Sequence, residues 1–175
     1  METANLRRPL AVVFCDIAGT TRLMTEEGDL VVAALLRAFF ENTNRLAKEH
    51  HCLMIKPFSD GFIAAFEHVG DVLPFAAAVQ ELAESEPNMR GRHLGFRFSL
   101  HCGDVLCIET SYGADVFGDH VNFAAWLNDL ARPGQIVISD AAWTLMPPAQ
   151  QAAAGAAETG HVRSGDVEIY RVSLS

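Results

Sequence analysis

Two aspartates stand where the predicted chain direction changes, and carboxylates in such positions can bind cations. Asp16 follows the apolar run Leu10 to Cys15, whose β-branched and aromatic residues predict a buried strand. Asp60 lies in the turn 57–61, between two further predicted strands. Paired carboxylates beside a phosphate favour Mg²⁺ or Mn²⁺, which keep water ligands and bridge to phosphate oxygens. Taken alone, however, Asp before a turn and Asp-Gly in a hairpin are also ordinary turn residues.

The residues directly after Asp16 predict a glycine-containing turn, Ile17-Ala-Gly-Thr-Thr21. Backbone N–H groups exposed in such a turn can hold phosphate oxygens. By itself this pattern is unspecific.

Hydrophobic spacing predicts an α+β domain that would bring these residues together. We predict strands at 9–15, 52–56, 62–66, 94–101 with a continuation or partner at 103–109, 135–139 and 167–174, and helices at 30–49, 71–85, 118–130 and after Asp140. The order is that of a ferredoxin-like split βαβ fold, an antiparallel-rich sheet with helices and C-terminal additions. In such a sheet the strand before Asp16 neighbours the hairpin of Asp60, so both carboxylates can face one point.

Length and charge limit the function further. The 175 residues fit one domain, which we place at 9–175 after an N-terminal extension at 1–8. The net charge of −9 argues against a nucleic-acid binder, and a polyanionic ligand would need metal ions or a local cationic pocket. No uncharged run reaches the length of a membrane span, so we expect a soluble, cytoplasmic protein with no membrane partner.

Five collinear segments resemble the class III adenylate/guanylate cyclase domains. Their family patterns are F-x-D-I-x-G-F-T at 14–21, K-x-x-G-D at 56–60, R-I-G-I-H-T-G at 97–103, D-x-x-G-x-x-V-N-x-A at 115–124 and A-x-P-G-Q-I-x-x-S at 131–139. The resemblance covers about residues 9 to 172 in the right order and spacing. It implies that residues 9–175 form a nucleotide cyclase catalytic domain.

The resemblance also implies residue roles at the triphosphate end. Asp16 and Asp60 would bind two divalent metals, Mg²⁺ or Mn²⁺, with the Ile17 carbonyl as a further ligand. Arg97 would pair with the β- and γ-phosphates. The backbone that would hold the same phosphates belongs to Ala18, Gly19, Thr20 and Thr21.

At the nucleoside end, Lys56 and Asp115 match the base-selecting pair, and Asn122 would orient the ribose. The family reaction is attack of the ribose 3′-oxygen on the α-phosphorus of a nucleoside triphosphate, with release of pyrophosphate. Two chains pair head to tail in this family, so the resemblance implies a homodimer with shared active sites.

The match breaks at Trp126, where the family carries an arginine that stabilises charge at the α-phosphate. An indole offers one N–H donor and no charge, and losing such a cation costs roughly a few kcal/mol of transition-state stabilisation. Ser59 also stands where Gly is usual, and Thr20 where Phe is usual.

The loss of the arginine leaves alternatives open. A working cyclase could use UTP or CTP, as stand-alone bacterial pyrimidine cyclases of antiphage defence do, because an indole could shrink the base pocket. It could equally use ATP, because Lys56 and Asp115 keep the adenine-type pair. Another alternative is an inert nucleotide-binding dimerisation module, and a further one is a protein-interaction domain without nucleotide.

Overall fold

The computed structural model describes residues 7–174 and arranges them around one eight-stranded sheet. The strands are β1 (Arg7–Ala18), β2 (Met54–Phe58), β3 (Gly61–Phe66), β4 (Gly95–Thr110), β5 (Gly113–Phe117), β6 (Gln135–Ser139), β7 (Glu158–Val162) and β8 (Gly165–Ser173). The helices are α1 (Thr20–Glu27), α2 (Asp29–Glu49), α3 (Val72–Ser85), α4 (Asp119–Asn128), α5 (Asp140–Trp143) and α6 (Pro148–Gln151), with a 3₁₀ turn at Val69–Asp71. The strand order is β2-β3-β1-β4-β6-β8-β7, and β5 pairs with β4.

β1 lies inside the sheet, antiparallel to β3 on one side and to β4 on the other. Because side chains alternate along a strand, Val13 and Cys15 enter a large core on one face, while Leu10 and Val12 enter a smaller one on the other. The smaller core also contains Ala124 of α4. This two-sided burial holds β1 rigidly, which fixes the position of the residues at its end.

The large core contains the apolar faces of α2 and α3. In α2 the buried positions Val32, Leu35, Phe39 and Leu46 have the spacing of one helix face. Phe39 stacks on Phe96 of β4 with ring centroids 5.0 Å apart. The predicted α+β, ferredoxin-like fold is confirmed.

Four elements were not predicted from the sequence, namely α1, β5, α6 and β7. The predicted turn at 17–21 is instead the end of β1, a left-handed Gly19 (φ +102°) and the start of α1. The predicted strands 94–101 and 103–109 form the single strand β4. β7 is an edge strand in which only Gly160 and Val162 are buried. Its sequence therefore needs no alternation of apolar and polar residues, and the hydrophobic pattern does not reveal it.

The chain ends differ slightly from the predicted boundaries. β1 already begins at Arg7, inside the segment predicted as an extension, and residues 1–6 of that segment lie outside the described residues. Within residues 7–174, no helix combines the length and apolarity needed to cross a membrane.

Buried polar groups join α4 to the sheet. Ser99 Oγ donates to the Ala124 carbonyl at 2.6 Å. His101 lies 2.8 Å from Ser139 Oγ through Nδ1, and 2.8 Å from His120 Nδ1 through Nε2. Burial, and then the neighbouring His120, lower the pKa of His101 to about 4.

We expect this histidine to make the fold acid-sensitive. An unfolded histidine takes up a proton at pH of about 6.5, but folded His101 does so only at about 4. Stability should therefore fall as the pH drops from about 6.5 towards 4, because protons favour the unfolded chain. In urea unfolding across this range, the free energy of unfolding of His101→Asn should change less steeply with pH than that of the parent. An unchanged slope in His101→Asn would show that another group causes the acid sensitivity.

Candidate active site

Asp16 and Asp60 lie at the same end of two neighbouring strands. In the antiparallel pair of β1 and β3, Asp16 is opposite Gly61. The Ile17 N–H donates to the Asp60 carbonyl at 3.1 Å. Both side chains are half-buried. The sheet therefore brings the two predicted metal ligands to one edge.

The Asp16 carboxylate accepts hydrogen bonds from two side chains. Arg97, opposite Asp16 on β4, donates from Nε to Oδ1 at 3.0 Å and from Nη2 to Oδ2. Asn128 Nδ2 also donates to Oδ1, at 2.9 Å. The hydrogen bond with Asp16 raises the pKa of Arg97. Asp16 is thus already paired with one cation, the guanidinium.

The Asp60 carboxylate is held by Thr20, whose hydroxyl donates to Oδ2. Thr20 is buried, with a relative exposure of 3%. The family's phenylalanine at this position could not donate this hydrogen bond. The departure at Thr20 therefore provides Asp60 with a partner.

The backbones of the two aspartates approach each other closely. A Cβ added at Gly61 would lie 2.2 Å from the Cys15 carbonyl oxygen and 3.1 Å from the Asp16 Cα. Ser59, in the same hairpin turn, has a φ of +41°, in the left-handed region that favours glycine. Only glycine at position 61 permits this approach.

We expect Gly61→Ala to lower the free energy of unfolding by about 1–3 kcal/mol, the usual cost of an overpacked site, or to shift Asp60 away from Asp16. Gly155→Ala is the matched control, since its Cβ would meet nothing nearer than 3.8 Å. Urea unfolding of the two variants measures the difference. Equal stability of both variants would contradict the close approach of the two strands.

The predicted phosphate loop is the start of α1. Ala18 ends β1, Gly19 turns the chain, and Thr20 and Thr21 open a helix of eight residues. First-turn N–H groups of a helix have no partner within the helix, and the helix dipole adds positive charge there. The loop can therefore bind an anion beside the two aspartates.

The predicted base-selecting residues contact each other. Lys56 of β2 and Asp115 of β5 form an ion pair. The Asp115 side chain is 10% exposed and that of Lys56 is 51% exposed. The ammonium group of Lys56 therefore lies at the surface, and the buried Asp115 carboxylate binds it from the interior side.

α4 carries the remaining predicted residues. Asn122 is exposed, and Trp126, one helical turn further, is partly buried. The indole packs against a small core of Leu127, Ala131, Val137, Val162 and Ile169. Within residues 7–174, no hydrogen bond or ion pair links Asn122 or Lys56 to Asp16 or Asp60.

Three contacts at this site were not predicted, those of Arg97 and Asn128 with Asp16 and that of the Thr20 hydroxyl with Asp60. The Asn128 contact joins residues 112 positions apart. No local pattern in the sequence marks such a contact, because it depends on how α4 packs on β1.

The donor set at this edge suits Mg²⁺ or Mn²⁺. Among residues 7–174, no group of three or more His, Cys, Asp and Glu side chains could hold a metal ion. The available donors are the carboxylates of Asp16 and Asp60 and the Ile17 carbonyl, all hard oxygen ligands. Mg²⁺ is commonly bound by one or two carboxylates, with phosphates and waters completing its shell. The residues therefore fit a metal that arrives with a triphosphate.

Comparison with known proteins gives one consistent result. The family model of the adenylate and guanylate cyclase catalytic domain matches residues 3–173. A putative adenylate cyclase 3 of Rhizobium meliloti is 31% identical over 143 residues, which cover 80% of this chain and 24% of that relative. The chain therefore spans only about a quarter of that relative's length.

Solved structures share the fold. The catalytic core of a rhodopsin-guanylyl cyclase with converted specificity, in complex with ATPαS, superposes with a TM-score of 0.82, 19% identity and coverage of 95% of this chain and 98% of that one. A non-canonical dimeric guanylyl cyclase domain from Blastocladiella emersonii superposes with a TM-score of 0.80 and 18% identity, covering 95% of this chain and 97% of that one. Because the family model matches nearly the whole sequence, the chain belongs to the adenylate and guanylate cyclase catalytic domain family, a family of nucleotide cyclases.

Proposed function

We propose that this domain converts a nucleoside triphosphate into a 3′,5′-cyclic nucleotide and pyrophosphate. The observation that carries the proposal is the convergence of Asp16, Asp60 and Arg97 beside the first turn of α1. Two carboxylates, a guanidinium and free backbone N–H groups are the groups that a metal-bound triphosphate requires.

Asp16 and Asp60, with the Ile17 carbonyl, would hold two divalent cations, Mg²⁺ or Mn²⁺. When bound, these cations would stabilise the 3′-alkoxide and the charge of the leaving pyrophosphate. Thr20 keeps the Asp60 carboxylate oriented towards the same edge.

Arg97 and the α1 loop would bind the β- and γ-phosphates. The backbone N–H groups of residues 18–21 offer donors to phosphate oxygens. Arg97 is now paired with Asp16. Phosphate is the guanidinium's other strong bidentate partner, so Arg97 can pass from the carboxylate to the triphosphate.

The nucleoside would be placed by Lys56, Asp115 and Asn122. Lys56 and Asp115 would contact the base, and Asn122 would orient the ribose. The 3′-hydroxyl would lose its proton to water, and its oxygen would attack the α-phosphorus. The bond from that phosphorus to the bridging oxygen would break in line, and the released pyrophosphate would take up the proton. Trp126 supplies no positive charge at this step.

ATP and a pyrimidine triphosphate are the two substrate candidates. The Lys56–Asp115 ion pair favours ATP. Trp126 favours UTP or CTP, because an indole in place of the family's arginine would shrink the base pocket. The product would then be cyclic UMP or cyclic CMP, the kind of signal that antiphage defence uses. An inert nucleotide-binding module is the alternative that the missing arginine supports.

A homodimer with shared sites agrees with the position of Asn122. This side chain is exposed and has no bond to the Asp16 edge of its own chain within residues 7–174. A partner chain could bring its Asn122 to that edge.

Incubation with ATP, GTP, UTP or CTP and Mn²⁺, followed by identification of the product by mass spectrometry, tests the proposal. We expect one cyclic nucleotide and an equal amount of pyrophosphate. If none of the four nucleotides is converted although each binds, the inert alternative is correct and the proposed activity is wrong.

We expect Trp126→Arg to raise turnover of ATP, because it restores a cation near the α-phosphate. A gain of about tenfold or more corresponds to roughly 1.4 kcal/mol of barrier. Trp126→Lys, which carries the same charge without the planar fork, is the control and should gain less. Steady-state kinetics and a melting temperature should be measured together. An unfolded Trp126→Arg variant would mean that the indole serves only the small core around it.

A further inference from the structure

Asn128, the last residue of α4, contacts the proposed metal ligand Asp16. Its Nδ2 donates to Asp16 Oδ1 at 2.9 Å. Within residues 7–174 its Oδ1 is buried and has no hydrogen-bond partner. The bond to Asp16 is therefore the side chain's one polar anchor in the described part of the chain.

The orientation of this amide follows from the chemistry of its partner. An ionised carboxylate only accepts hydrogen bonds, so Asn128 must present its NH₂ group to Asp16. The amide oxygen then lies buried without a donor, which is unfavourable for folding. An apolar residue at this position would avoid that cost, so the bond to Asp16 is the feature that favours asparagine here.

Asn128 differs from Arg97 in the way it holds the carboxylate. Arg97 is positively charged and covers both oxygens of Asp16, so it competes with any cation for them. Asn128 is neutral and donates to Oδ1. It can therefore keep its bond to Asp16 while a cation is bound.

We infer that Asn128 is a positioning residue that fixes the Asp16 carboxylate for cation binding after Arg97 has left it. Carboxylates that bind metals are commonly held by such outer hydrogen bonds, and their loss weakens metal binding roughly tenfold to a hundredfold. This inference rests on the proposed function, because it assumes that Asp16 binds a cation.

Mn²⁺ binding to the full chain without nucleotide tests the inference, with free Mn²⁺ followed by electron paramagnetic resonance. Asn128→Ala should weaken Mn²⁺ binding roughly tenfold to a hundredfold. Asn128→Gln, which keeps the amide donor, should recover part of the affinity. Asn42→Ala is the matched control, because Asn42 donates to a carboxylate oxygen of Glu86 at 3.0 Å, away from Asp16.

Urea unfolding of the metal-free protein separates positioning from packing. If Asn128 acts through Asp16, the loss of stability caused by Asn128→Ala should disappear in the Asp16→Ala background. An equal loss in both backgrounds would overturn the inference.

The two hypotheses fail in different ways. If the parent neither binds Mn²⁺ nor forms a cyclic nucleotide, the proposed function is wrong and the inference falls with it. If the parent forms a cyclic nucleotide and Asn128→Ala does not weaken Mn²⁺ binding, only the inference is wrong.

Discussion

Replacing Asp16 with asparagine should abolish cyclic nucleotide formation, with a fall in turnover of more than about a thousandfold. The amide keeps the shape of the side chain but loses the charge that holds a cation. It also removes the anionic partner of Arg97. Asp60→Asn should have a comparable effect, since Asp60 is the other carboxylate at this edge.

Asp166→Asn is the control for the Asp16 substitution. Asp166 lies on an exposed part of β8 and pairs with His161, so its loss changes the net charge by the same amount without touching the site. Product formation with Mn²⁺ and the melting temperature should be measured for each variant. A folded Asp16→Asn protein with turnover near that of the parent would remove Asp16 from the mechanism.

Arg97→Ala should separate triphosphate binding from cation binding. We expect kcat/KM to fall by roughly a hundredfold to a thousandfold, because a charge-assisted donor to the phosphates is lost. Mn²⁺ binding without nucleotide should be at least as strong as in the parent, because the guanidinium no longer occupies the Asp16 oxygens.

Arg92→Ala is the matched control for Arg97. Arg92 forms a comparable forked ion pair with Glu27, and its side chain is 27% exposed, against 35% for Arg97. Steady-state kinetics and Mn²⁺ titration of both variants give the comparison. Weaker Mn²⁺ binding in Arg97→Ala would mean that Arg97 supports the metal site instead of competing with it.

The positions of Asp16 and Asp60 could be predicted because they depend on local patterns. The apolar run before Asp16 and the turn residues around Asp60 define strand ends, and the split βαβ order makes those strands neighbours. Strand ends in a known order fix which side chains share an edge of the sheet. The roles of these residues remain predictions.

The partners of the two carboxylates could not be predicted in the same way. Arg97, Asn128 and Thr20 reach them across 81, 112 and 40 positions of sequence. Which donor meets which oxygen depends on the packing of α4 and α1 against β1, and periodicity does not encode it. β7 was missed for a related reason, since an edge strand with one buried face needs few apolar residues.

Asp16 and Asp60 are proposed to bind the same cations, which in turn coordinate the triphosphate. A crystal grown with MnCl₂ and a non-hydrolysable nucleotide tests this proposal through the anomalous scattering of manganese. We expect manganese at roughly 2 Å from oxygens of both aspartates, with Arg97 turned from Asp16 to a phosphate. Bound nucleotide with no manganese between the two carboxylates, and Asp16 still paired with Arg97, would contradict it.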